Sequence, residues 1–432
     1  MGTLCLILLG INAKAYDNAN TYIVDLKSSS SFYSLDQSDR DFYVVKEEEL
    51  NELLQLDMVE HYEPNYEVKL LGDCWNLDAI ETKYAWNMGC YGTGVRIAVI
   101  DSGCSLIGDI EQNVDIGYNY IKQTTDTTDN VGHGTFVSGI IASQSKGISY
   151  KSKIVPLKCF DVGVTTTVSD IIDIVYDAVD IYDCDVINMS IGFTGYSTKL
   201  ARAITYATNN GVIVVAAVGN DGETTKYYPA AYENVIGVAS VDKNKKHSEF
   251  SQFNNSVFVC APGEALNSLS IEGYSSNSGT SFASPHVSAM AAIAKCIDNS
   301  TEVNKFKELL INSSTDLGNV GYDIYYGYGL VNLKEFINQT IGEASVFMFP
   351  INAEGNQLYS VIYNNSVTDI TVSCICAEYE NNRMYDCRIV SVLIPVKQTY
   401  IFQNPYSSKT FKYMIWENLK TIKPLVNYRS FG

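Results

Sequence analysis

Positive charge, histidine and long apolar runs are all scarce in this chain. Its 30 lysine and arginine residues are outnumbered by 49 aspartate and glutamate residues, which gives a formal net charge of −19 at pH 7. Nucleic acid and anionic membranes repel such a chain, so neither is an expected partner. The apolar run at residues 4–11 is too short to span a bilayer. What remains is a globular protein, and 46% apolar residues are enough to fill the cores of two folded units.

Cysteine is present, but not in the spacing of a zinc site. Of the 11 cysteines, Cys5 lies in the N-terminal apolar run, and no pair has zinc-ligand spacing with a histidine nearby. Four stand in apolar segments, where cysteine behaves as a small hydrophobic residue: Cys159, Cys184, Cys260 and Cys296. Six are better disulfide candidates, although their pairing is left open: Cys74, Cys90, Cys104, Cys374, Cys376 and Cys387. Cys104 is also considered as a redox-sensitive thiol.

A run of small residues leads into an apolar helical segment late in the chain. The letters GTSFASPH occupy residues 279–286, and residues 287–297 are mostly apolar. Ser281 is therefore expected at a helix N-terminus, with Pro285 in the first turn. Free N–H groups and the helix dipole there favour the negative charge that forms when a hydroxyl attacks a carbonyl. The alternative is a buried helix that merely begins with small residues.

A nucleophilic serine needs a base, and the chain offers four histidines. His133 lies in DNVGHGT at residues 129–135, directly before a small-residue segment that is typical of a helix packed on a sheet. The other three lie inside a helix with a packing role, in the N-terminal region and in a polar loop respectively: His286, His61 and His247. We therefore predict His133 as the base.

An imidazole base needs a third group that fixes its tautomer and stabilises the imidazolium. Asp101 follows the run VRIAVI at residues 95–100 and precedes Ser102 and Gly103. Its carboxylate is expected at the carboxyl edge of a parallel sheet, where the sites of open α/β proteins gather. A lone aspartate after a strand is usually a turn residue. Three such motifs in one chain favour a site.

The motifs occur in the order Asp, His, Ser, and with their flanking residues they resemble the subtilisin-like (subtilase) serine peptidases. The resemblance covers roughly residues 75–337. It implies an α/β fold with a mostly parallel sheet and helices on both faces. It also implies that Asp101, His133 and Ser281 form a catalytic triad that hydrolyses peptide bonds through an acyl-enzyme. Asn220, in VIVVAAVGNDG at residues 212–222, is implied as the side-chain donor of the oxyanion hole.

The resemblance further implies how a protein or peptide substrate binds. Residues 186–192 are similar to the segment whose backbone pairs with an extended peptide. The walls of the primary specificity pocket would come from two short runs: Ser190, Ile191 and Gly192, and Ala217, Val218 and Gly219. Tyr227 is expected at the pocket floor, where many relatives carry glycine or serine, and its phenol predicts a preference for side chains of modest size. Asp221 at the rim is expected to attract basic side chains weakly.

The first 72 residues predict two segments outside the catalytic domain. Residues 1–15 combine the apolar run with Ala13-Lys14-Ala15 and indicate a signal peptide, hence a secreted or cell-surface protein. The alternative there is a buried strand. Residues 16–72 resemble a family propeptide, with a strand at 21–27, a helix at 47–56 and an extended run at 59–66. This implies an inhibitory partner within the chain and self-cleavage near residues 69–73; the alternative is an extension without an inhibitory role.

The pattern changes after the catalytic domain, which is predicted to occupy residues 73–340. Residues 341–432 alternate apolar and polar residues in short runs separated by asparagine-rich turns, which predicts a small β-sandwich. Anchoring and surface binding are possible roles, and a structural cap on the protease is the default. A monomer is expected.

Calcium stabilises many members of this family, but no metal site is predicted here. The loop at residues 143–149, where the family's usual ligands lie, is short and lacks a carboxylate. Other calcium sites stay open, because backbone oxygens also bind this ion.

Two other functions compete with a protease. An adhesion protein with a lapsed catalytic domain disagrees with the intact motifs. An esterase or lipase would need a Gly-x-Ser-x-Gly elbow, which the residues around Ser281 lack, and its triad would not begin with aspartate.

Overall fold

The computed structural model describes residues 21–26, 43–56, 58–64, 74–342, 346–348, 352–354, 357–380, 383–405, 410–416 and 424–431. The predicted signal peptide and self-cleavage region lie outside these residues. The chain divides into two compact units, Met1–Gly72 and Asp73–Gly432.

The first unit contains a small antiparallel sheet and one helix. Strand β1 (Thr21–Leu26) lies between β2 (Tyr43–Lys46) and β3 (Val59–Pro64), and helix α1 (Glu47–Gln55) follows β2 directly. Val24, Val45 and Leu50 form its buried core. The helix and the two flanking extended runs agree with the sequence pattern, while β2 was not predicted.

The second unit is built on a seven-stranded sheet in which every neighbouring pair is parallel. Its order is β10-β9-β8-β7-β4-β6-β5. The strands are β4 (Arg96–Asp101), β5 (Tyr118–Asn119), β6 (Lys153–Lys158), β7 (Val186–Met189), β8 (Ile213–Ala217), β9 (Val235–Val241) and β10 (Val259–Pro262). A hairpin of β11 (Leu266–Ser270) and β12 (Gly273–Asn277) lies beside it.

Helices pack on this sheet in two groups. Their bounds are α2 (Trp75–Ala79), α3 (Thr82–Asn87), α4 (His133–Ala142), α5 (Val168–Asp180), α6 (Thr198–Asn209), α7 (Thr280–Ile297), α8 (Val303–Ser313) and α9 (Leu333–Ile341). Helices α4 and α7 pack on each other, and α7 also lies against β7 to β10, whereas α5 packs on α6 and α6 on β8. The predicted α/β class, a mostly parallel sheet with helices on both faces, is confirmed.

Burial on both faces explains the composition of the central strands. All residues of β7, β8 and β9 are buried, and parallel strands covered on both sides are apolar throughout rather than alternating. Helix α5 instead has an exposed face, and a capping box formed by Thr167 and Asp170 defines its start.

The C-terminal strands form two antiparallel sheets. One contains β13 (Val346–Met348), β14 (Asn352–Glu354), β15 (Gln357–Asn364) and β18 (Thr399–Pro405); the other has the order β17 (Arg383–Ile394), β16 (Ile370–Glu380), β19 (Thr410–Trp416) and β20 (Pro424–Phe431). Residues of both sheets share one buried cluster, among them Ile362 and Phe402 from the first and Val372 from the second. This is the predicted sandwich-like packing. Val361 and Tyr363 of β15 join the core of the seven-stranded sheet.

Three of the predicted disulfide candidates are free thiols, so bridges at those positions were wrong. Among the described residues, Cys74, Cys104 and Cys374 are unbridged. Cys104 and Cys374 lie within apolar clusters, where cysteine packs as a small hydrophobic side chain. None of the helices that the structure describes is long and apolar enough to cross a membrane.

Candidate active site

The predicted base and its carboxylate partner are in direct contact. Asp101 is the last residue of β4 and His133 is the first residue of α4. The Nδ1 atom of His133 lies 2.8 Å from Oδ1 and 2.9 Å from Oδ2 of Asp101. An ionised carboxylate only accepts hydrogen bonds, so Nδ1 carries the hydrogen and Nε2 keeps the lone pair. This is the tautomer that a general base requires.

Glycine brings helix α4 close to the end of β4. A Cβ atom added to Gly134 would lie 2.2 Å from the carbonyl oxygen of Gly103, which no side chain tolerates. The Gly134 N–H donates to the hydroxyl of Ser102 at 2.9 Å. Gly132, directly before the helix, has a φ of 92° that favours glycine. The glycines around His133 therefore permit its contact with Asp101.

Asp129 holds the start of α4, a role that the sequence reasoning missed. Its Oδ1 accepts the N–H groups of Val131 and Gly132 at 2.9 and 2.8 Å. Its Oδ2 accepts the N–H of Thr135 at 2.9 Å and the hydroxyl of the same residue at 2.7 Å. The signal was available, since an aspartate four residues before His133 is a suitable helix cap.

The Asp101 carboxylate controls the charge of His133. Burial by itself lowers the pKa of His133, but the negative charge and hydrogen bond of Asp101 outweigh it, and the pKa is raised above its ordinary value of 6.5. A carboxylate in contact with an imidazole stabilises the imidazolium in this way. The site is therefore suited to a base that becomes protonated during the reaction.

Ser281 lies at the start of α7, as predicted. It is the second residue of that helix, where backbone N–H groups have no acceptor within the helix. The next residue, Phe282, places its ring 5.3 Å from the His133 ring and 4.4 Å from that of Phe136, centre to centre. Among the described residues the Ser281 hydroxyl donates to the Ser190 carbonyl at 3.3 Å, and no hydrogen bond joins it to His133.

Pro285 lies in the second turn of α7, so its predicted first-turn position was wrong. The helix begins at Thr280, five residues before Pro285. Proline has no N–H, so the Ser281 carbonyl lacks its usual partner within the helix. The hydroxyl of Ser190 donates to that carbonyl at 2.8 Å. Pro285 thus leaves the Ser281 carbonyl free to accept a hydrogen bond from Ser190, which directly follows β7. This bond fixes the backbone of the residue predicted to be the nucleophile.

A buried polar network extends this connection below Ser281. The Nδ2 of Asn188 donates to the Ser190 hydroxyl at 3.0 Å, and the Ser288 hydroxyl donates to Oδ1 of Asn188 at 2.8 Å. The hydroxyls of Ser190 and Ser284 lie 3.0 Å apart. All four side chains are buried. Satisfied networks of this kind rigidify the groups they hold.

Asn220 lies beside the first turn of α7. Its Oδ1 accepts the Thr280 N–H at 2.8 Å and lies 2.9 Å from the Thr280 hydroxyl. Because the backbone N–H can only donate, the amide oxygen must face it, and Nδ2 points the other way. That Nδ2 lies 3.6 Å from the position that a Cβ on Gly279 would take. Asn220 therefore offers a fixed N–H donor next to Ser281, and Thr280 is the positioning residue that sequence reasoning missed.

Only part of the predicted substrate-pairing segment is available. Strand β7 hydrogen-bonds to β4 on one side and β8 on the other, so the backbone groups of Val186–Met189 are already used. This part of the prediction was wrong, because β7 is an interior strand. Ser190 to Gly192 continue past its end, and no hydrogen bond between described residues engages the backbone of Ile191 or Gly192.

Two of the predicted pocket residues lie against Tyr227. Gly192 and Gly219 lie on opposite sides of its ring. Ala217 is the last residue of β8, and both Ala217 and Val218 are buried. The Asp221 carboxylate at the rim accepts the Tyr227 hydroxyl at 2.6 Å.

The remaining three histidines have other surroundings. His286 is fully buried; its Nδ1 donates to the Phe282 carbonyl at 2.9 Å and its Nε2 accepts from Asn76 at 3.1 Å. Burial lowers the pKa of His286 to about 4, so it is neutral at neutral pH. It has the packing role that was predicted. His61 lies on β3 in the first unit, and His247 packs among aromatic rings, including that of Tyr325.

Two groups near Asp101 differ from what the sequence suggested. Cys104 is buried, and burial raises the pKa of its thiol to about 12, so it is not the redox-sensitive thiol considered above. Lys158 was not singled out, yet its side chain is 1% exposed. Its ammonium donates to the carbonyls of Ser102 and Phe160 at 2.6 and 3.0 Å and lies 3.6 Å from Asp161. This lysine fastens the residue that follows Asp101 to the end of β6.

The loop at residues 143–149 has a carboxylate neighbour from elsewhere in the chain. Asp109 accepts the Ser145 N–H at 2.7 Å and the Ser143 hydroxyl at 3.1 Å through Oδ2. One carboxylate falls short of the six to eight oxygens that calcium prefers. The part of the chain that the structure describes holds no group of three or more His, Cys, Asp or Glu side chains suited to a metal ion. The absence of calcium here stays a prediction.

Comparison with known proteins gives a consistent family. The model of the Subtilase family of peptidases matches residues 92–329. A thermophilic serine proteinase of Bacillus sp. (strain AK1) is 34% identical over 293 residues, which cover 64% of this chain and 72% of that protein. The minor extracellular protease Epr of Bacillus subtilis is 35% identical over 267 residues, covering 60% of this chain and 41% of that protein.

Solved structures agree with the sequence relatives. A protease of Pseudoalteromonas arctica superposes with a TM-score of 0.55 at 25% identity, covering 60% of this chain and 94% of that one. Because the family model spans more than half of the chain and includes the segments that carry Asp101, His133 and Ser281, the chain belongs to the subtilase family of serine peptidases.

Proposed function

We propose that this serine endopeptidase cleaves peptide bonds through an acyl-enzyme, with Asp101, His133 and Ser281 as its triad. The observation that carries the proposal is the double contact of His133 Nδ1 with the Asp101 carboxylate, at 2.8 and 2.9 Å. It leaves Nε2 as the free base. The Ser281 hydroxyl, which donates to Ser190 in the structure, turns to Nε2 when substrate binds, since catalytic hydrogen bonds often tighten only in the complex.

The proposed reaction has two half-reactions. His133 Nε2 accepts the Ser281 proton while Oγ bonds to the carbonyl carbon of the substrate. The C–N bond then breaks, and the imidazolium returns the proton to the leaving amine. Water repeats the sequence on the acyl-enzyme, and its oxygen goes to the new carboxylate. Asp101 stabilises the imidazolium in both halves.

The oxyanion would be bound by the Ser281 N–H and the Nδ2 of Asn220. Both donors belong to elements fixed before substrate arrives, since Oδ1 of Asn220 is held by Thr280 at 2.8 Å. Preorganised donors stabilise the developing charge without reorganising in the transition state. Substrate would pair with the free backbone beyond β7, at Ser190 to Gly192.

Purified protein incubated with casein and with a short-chain ester tests the proposal. Casein hydrolysis that a serine-directed fluorophosphonate abolishes, with the label recovered on Ser281 by mass spectrometry, is the expected result. Ester hydrolysis without casein cleavage would favour an esterase. Absence of both activities, with Ser281 unlabelled, would favour an adhesion protein and contradict the triad.

Replacing Asn220 by alanine is expected to lower kcat by about 10²- to 10³-fold with little change in KM, because one oxyanion donor is lost while substrate binding is kept. The measurement is steady-state kinetics on a peptide anilide. Asn210→Ala is a suitable control, since that exposed amide donates to the Tyr206 carbonyl at 2.9 Å. If Asn220→Ala lowers kcat by less than tenfold, Asn220 is not a donor of the oxyanion hole.

The segments flanking the catalytic domain also have proposed roles. Residues 1–15 would direct export, and residues 16–72 would act as a propeptide that is removed by self-cleavage near residues 69–73. Residues 73–340 would form a monomeric secreted protease, and residues 341–432 would cap it. The packing of Val361 and Tyr363 into the main core supports the capping role. The name of the Bacillus subtilis relative supports an extracellular site of action.

A further inference from the structure

A narrow slot opens beside the proposed nucleophile. One wall starts at Ser190, whose carbonyl accepts the Ser281 hydroxyl at 3.3 Å, and runs to Gly192. The other wall contains Gly219, which precedes Asn220 and whose N–H lies 3.2 Å from the Thr280 hydroxyl. Both walls therefore meet the first turn of α7. The resemblance to subtilases implies that this slot is the primary specificity pocket, which receives the side chain before the cleaved bond.

The ring of Tyr227 already occupies the slot. A methyl carbon added to Gly192 would lie 2.9 Å from Cδ1 of that ring, and one added to Gly219 would lie 3.0 Å from Cδ2. Carbon atoms in favourable contact are about 3.5–4.0 Å apart. The two walls thus hold the ring between them without room for a further methyl group on either side.

Tyr227 is tethered at its hydroxyl and in its backbone. The hydroxyl donates to Oδ2 of Asp221 at 2.6 Å. Asp221 is itself held, since its N–H donates at 2.9 Å to Oε1 of Gln252, a fully buried side chain. The backbone directly after Tyr227 is fixed by reciprocal hydrogen bonds between Tyr228 and Phe193, at 2.8 and 2.9 Å.

We propose that Tyr227 and Asp221 form a latch that closes the primary specificity pocket and restricts the residue before the cleaved bond to glycine, alanine or serine. This inference rests on the proposed function. It extends the expectation of modest side chains, because the ring fills the slot and its exposed hydroxyl is hydrogen-bonded to Asp221. The Asp221 carboxylate, expected to attract basic side chains, also accepts the hydrogen bond of the Tyr227 hydroxyl.

Two peptide anilides that differ only in the residue before the cleaved bond test the latch. We expect the wild-type enzyme to cleave succinyl-Ala-Ala-Pro-Ala-p-nitroanilide with a higher kcat/KM than the phenylalanine analogue. Tyr227→Gly should raise kcat/KM for the phenylalanine peptide by about 10- to 200-fold, the range that a change in pocket volume produces. The alanine peptide should be little affected, since its methyl group does not reach the ring.

Two milder variants distinguish the effect of the Tyr227 ring from the effect of its hydrogen bond to Asp221. Tyr227→Phe and Asp221→Ala keep the ring but remove the hydrogen bond, so each should raise kcat/KM for the phenylalanine peptide by less than Tyr227→Gly does. They also provide the test if the glycine variant fails to fold. The matched controls are Tyr206→Phe and Asp180→Ala, because Tyr206 donates to Asp180 at 2.7 Å in the same way on helices α6 and α5. Neither control should alter the ratio of the two kcat/KM values.

Different results would overturn the latch and the proposed function. Wild-type enzyme that cleaves the phenylalanine peptide as well as the alanine peptide, or better, would overturn the latch alone. So would a Tyr227→Gly variant with an unchanged ratio. Cleavage of neither peptide, with Ser281 unlabelled by a fluorophosphonate, would instead overturn the proposed function.

Discussion

Replacing Ser281 by alanine is expected to lower kcat by about 10⁶-fold, the magnitude known for subtilisin, a member of this family. The substitution removes the hydroxyl proposed to attack the substrate, while Ser190 still donates to the carbonyl of residue 281. The fold and KM should therefore persist. Steady-state kinetics on a peptide anilide and circular dichroism measure the two effects. The full-length variant should also keep its N-terminal segment intact, because self-cleavage would need the same hydroxyl.

Ser300→Ala is the control for this experiment. Its hydroxyl is exposed and donates to Asp298 at 2.7 Å, so loss of one hydroxyl elsewhere should leave kcat unchanged. A Ser281→Ala variant that retains a tenth of the wild-type kcat in a preparation free of contaminating protease would exclude Ser281 as the nucleophile.

Replacing Asp101 by asparagine should lower kcat by about 10⁴-fold, because an amide neither stabilises the imidazolium nor selects the tautomer with hydrogen on Nδ1. The pH profile should change as well. Only neutral His133 acts as a base, so kcat/KM falls as the pH drops through its pKa, which lies above 6.5 in the wild type. Without the carboxylate, burial dominates and lowers that pKa. The acid limb of the profile should therefore move to lower pH.

The matched control is Asp126→Asn, which removes an exposed carboxylate whose hydrogen bonds are to Thr128. Its kcat and pH profile should match the wild type. An acid limb at the same pH in Asp101→Asn and wild type would show that Asp101 does not govern the protonation of His133.

Much of the fold could be predicted because burial leaves a clear pattern in the sequence. Strands such as β8 (IVVAA) are buried on both faces and are therefore apolar throughout, while the C-terminal strands alternate. The position of Pro285 was misjudged because the start of α7 depends on a cap that lies elsewhere in the sequence, at Asn220. The predicted substrate-pairing segment, residues 186–192, was too long because it included β7. Which strands flank β7 depends on the order of strands in the sheet, and the local sequence pattern does not reveal that order.

Some residues of the candidate active site could likewise be predicted from the sequence, and others could not. Asp101, His133 and Ser281 were predicted from short motifs, since each needs particular neighbours within a few residues, whereas the role of Asn220 was implied by the resemblance to subtilases. Lys158 and Thr280 were missed because their importance comes from contacts with residues more than fifty positions away. Tyr227 was predicted at the pocket floor, but the close contacts of its ring with Gly192 and Gly219 follow only from how separate segments pack.

The sequence by itself determined the class of chemistry, since an acid, a base and a nucleophile require specific side chains with specific local backbones. Only the tertiary structure decided how they are arranged. It joined His133 to Asp101, directed the Ser281 hydroxyl toward Ser190 and placed the Tyr227 ring between Gly192 and Gly219. The reason is physical: a motif specifies what one segment can do, whereas distances between segments follow from how strands and helices pack around a shared core.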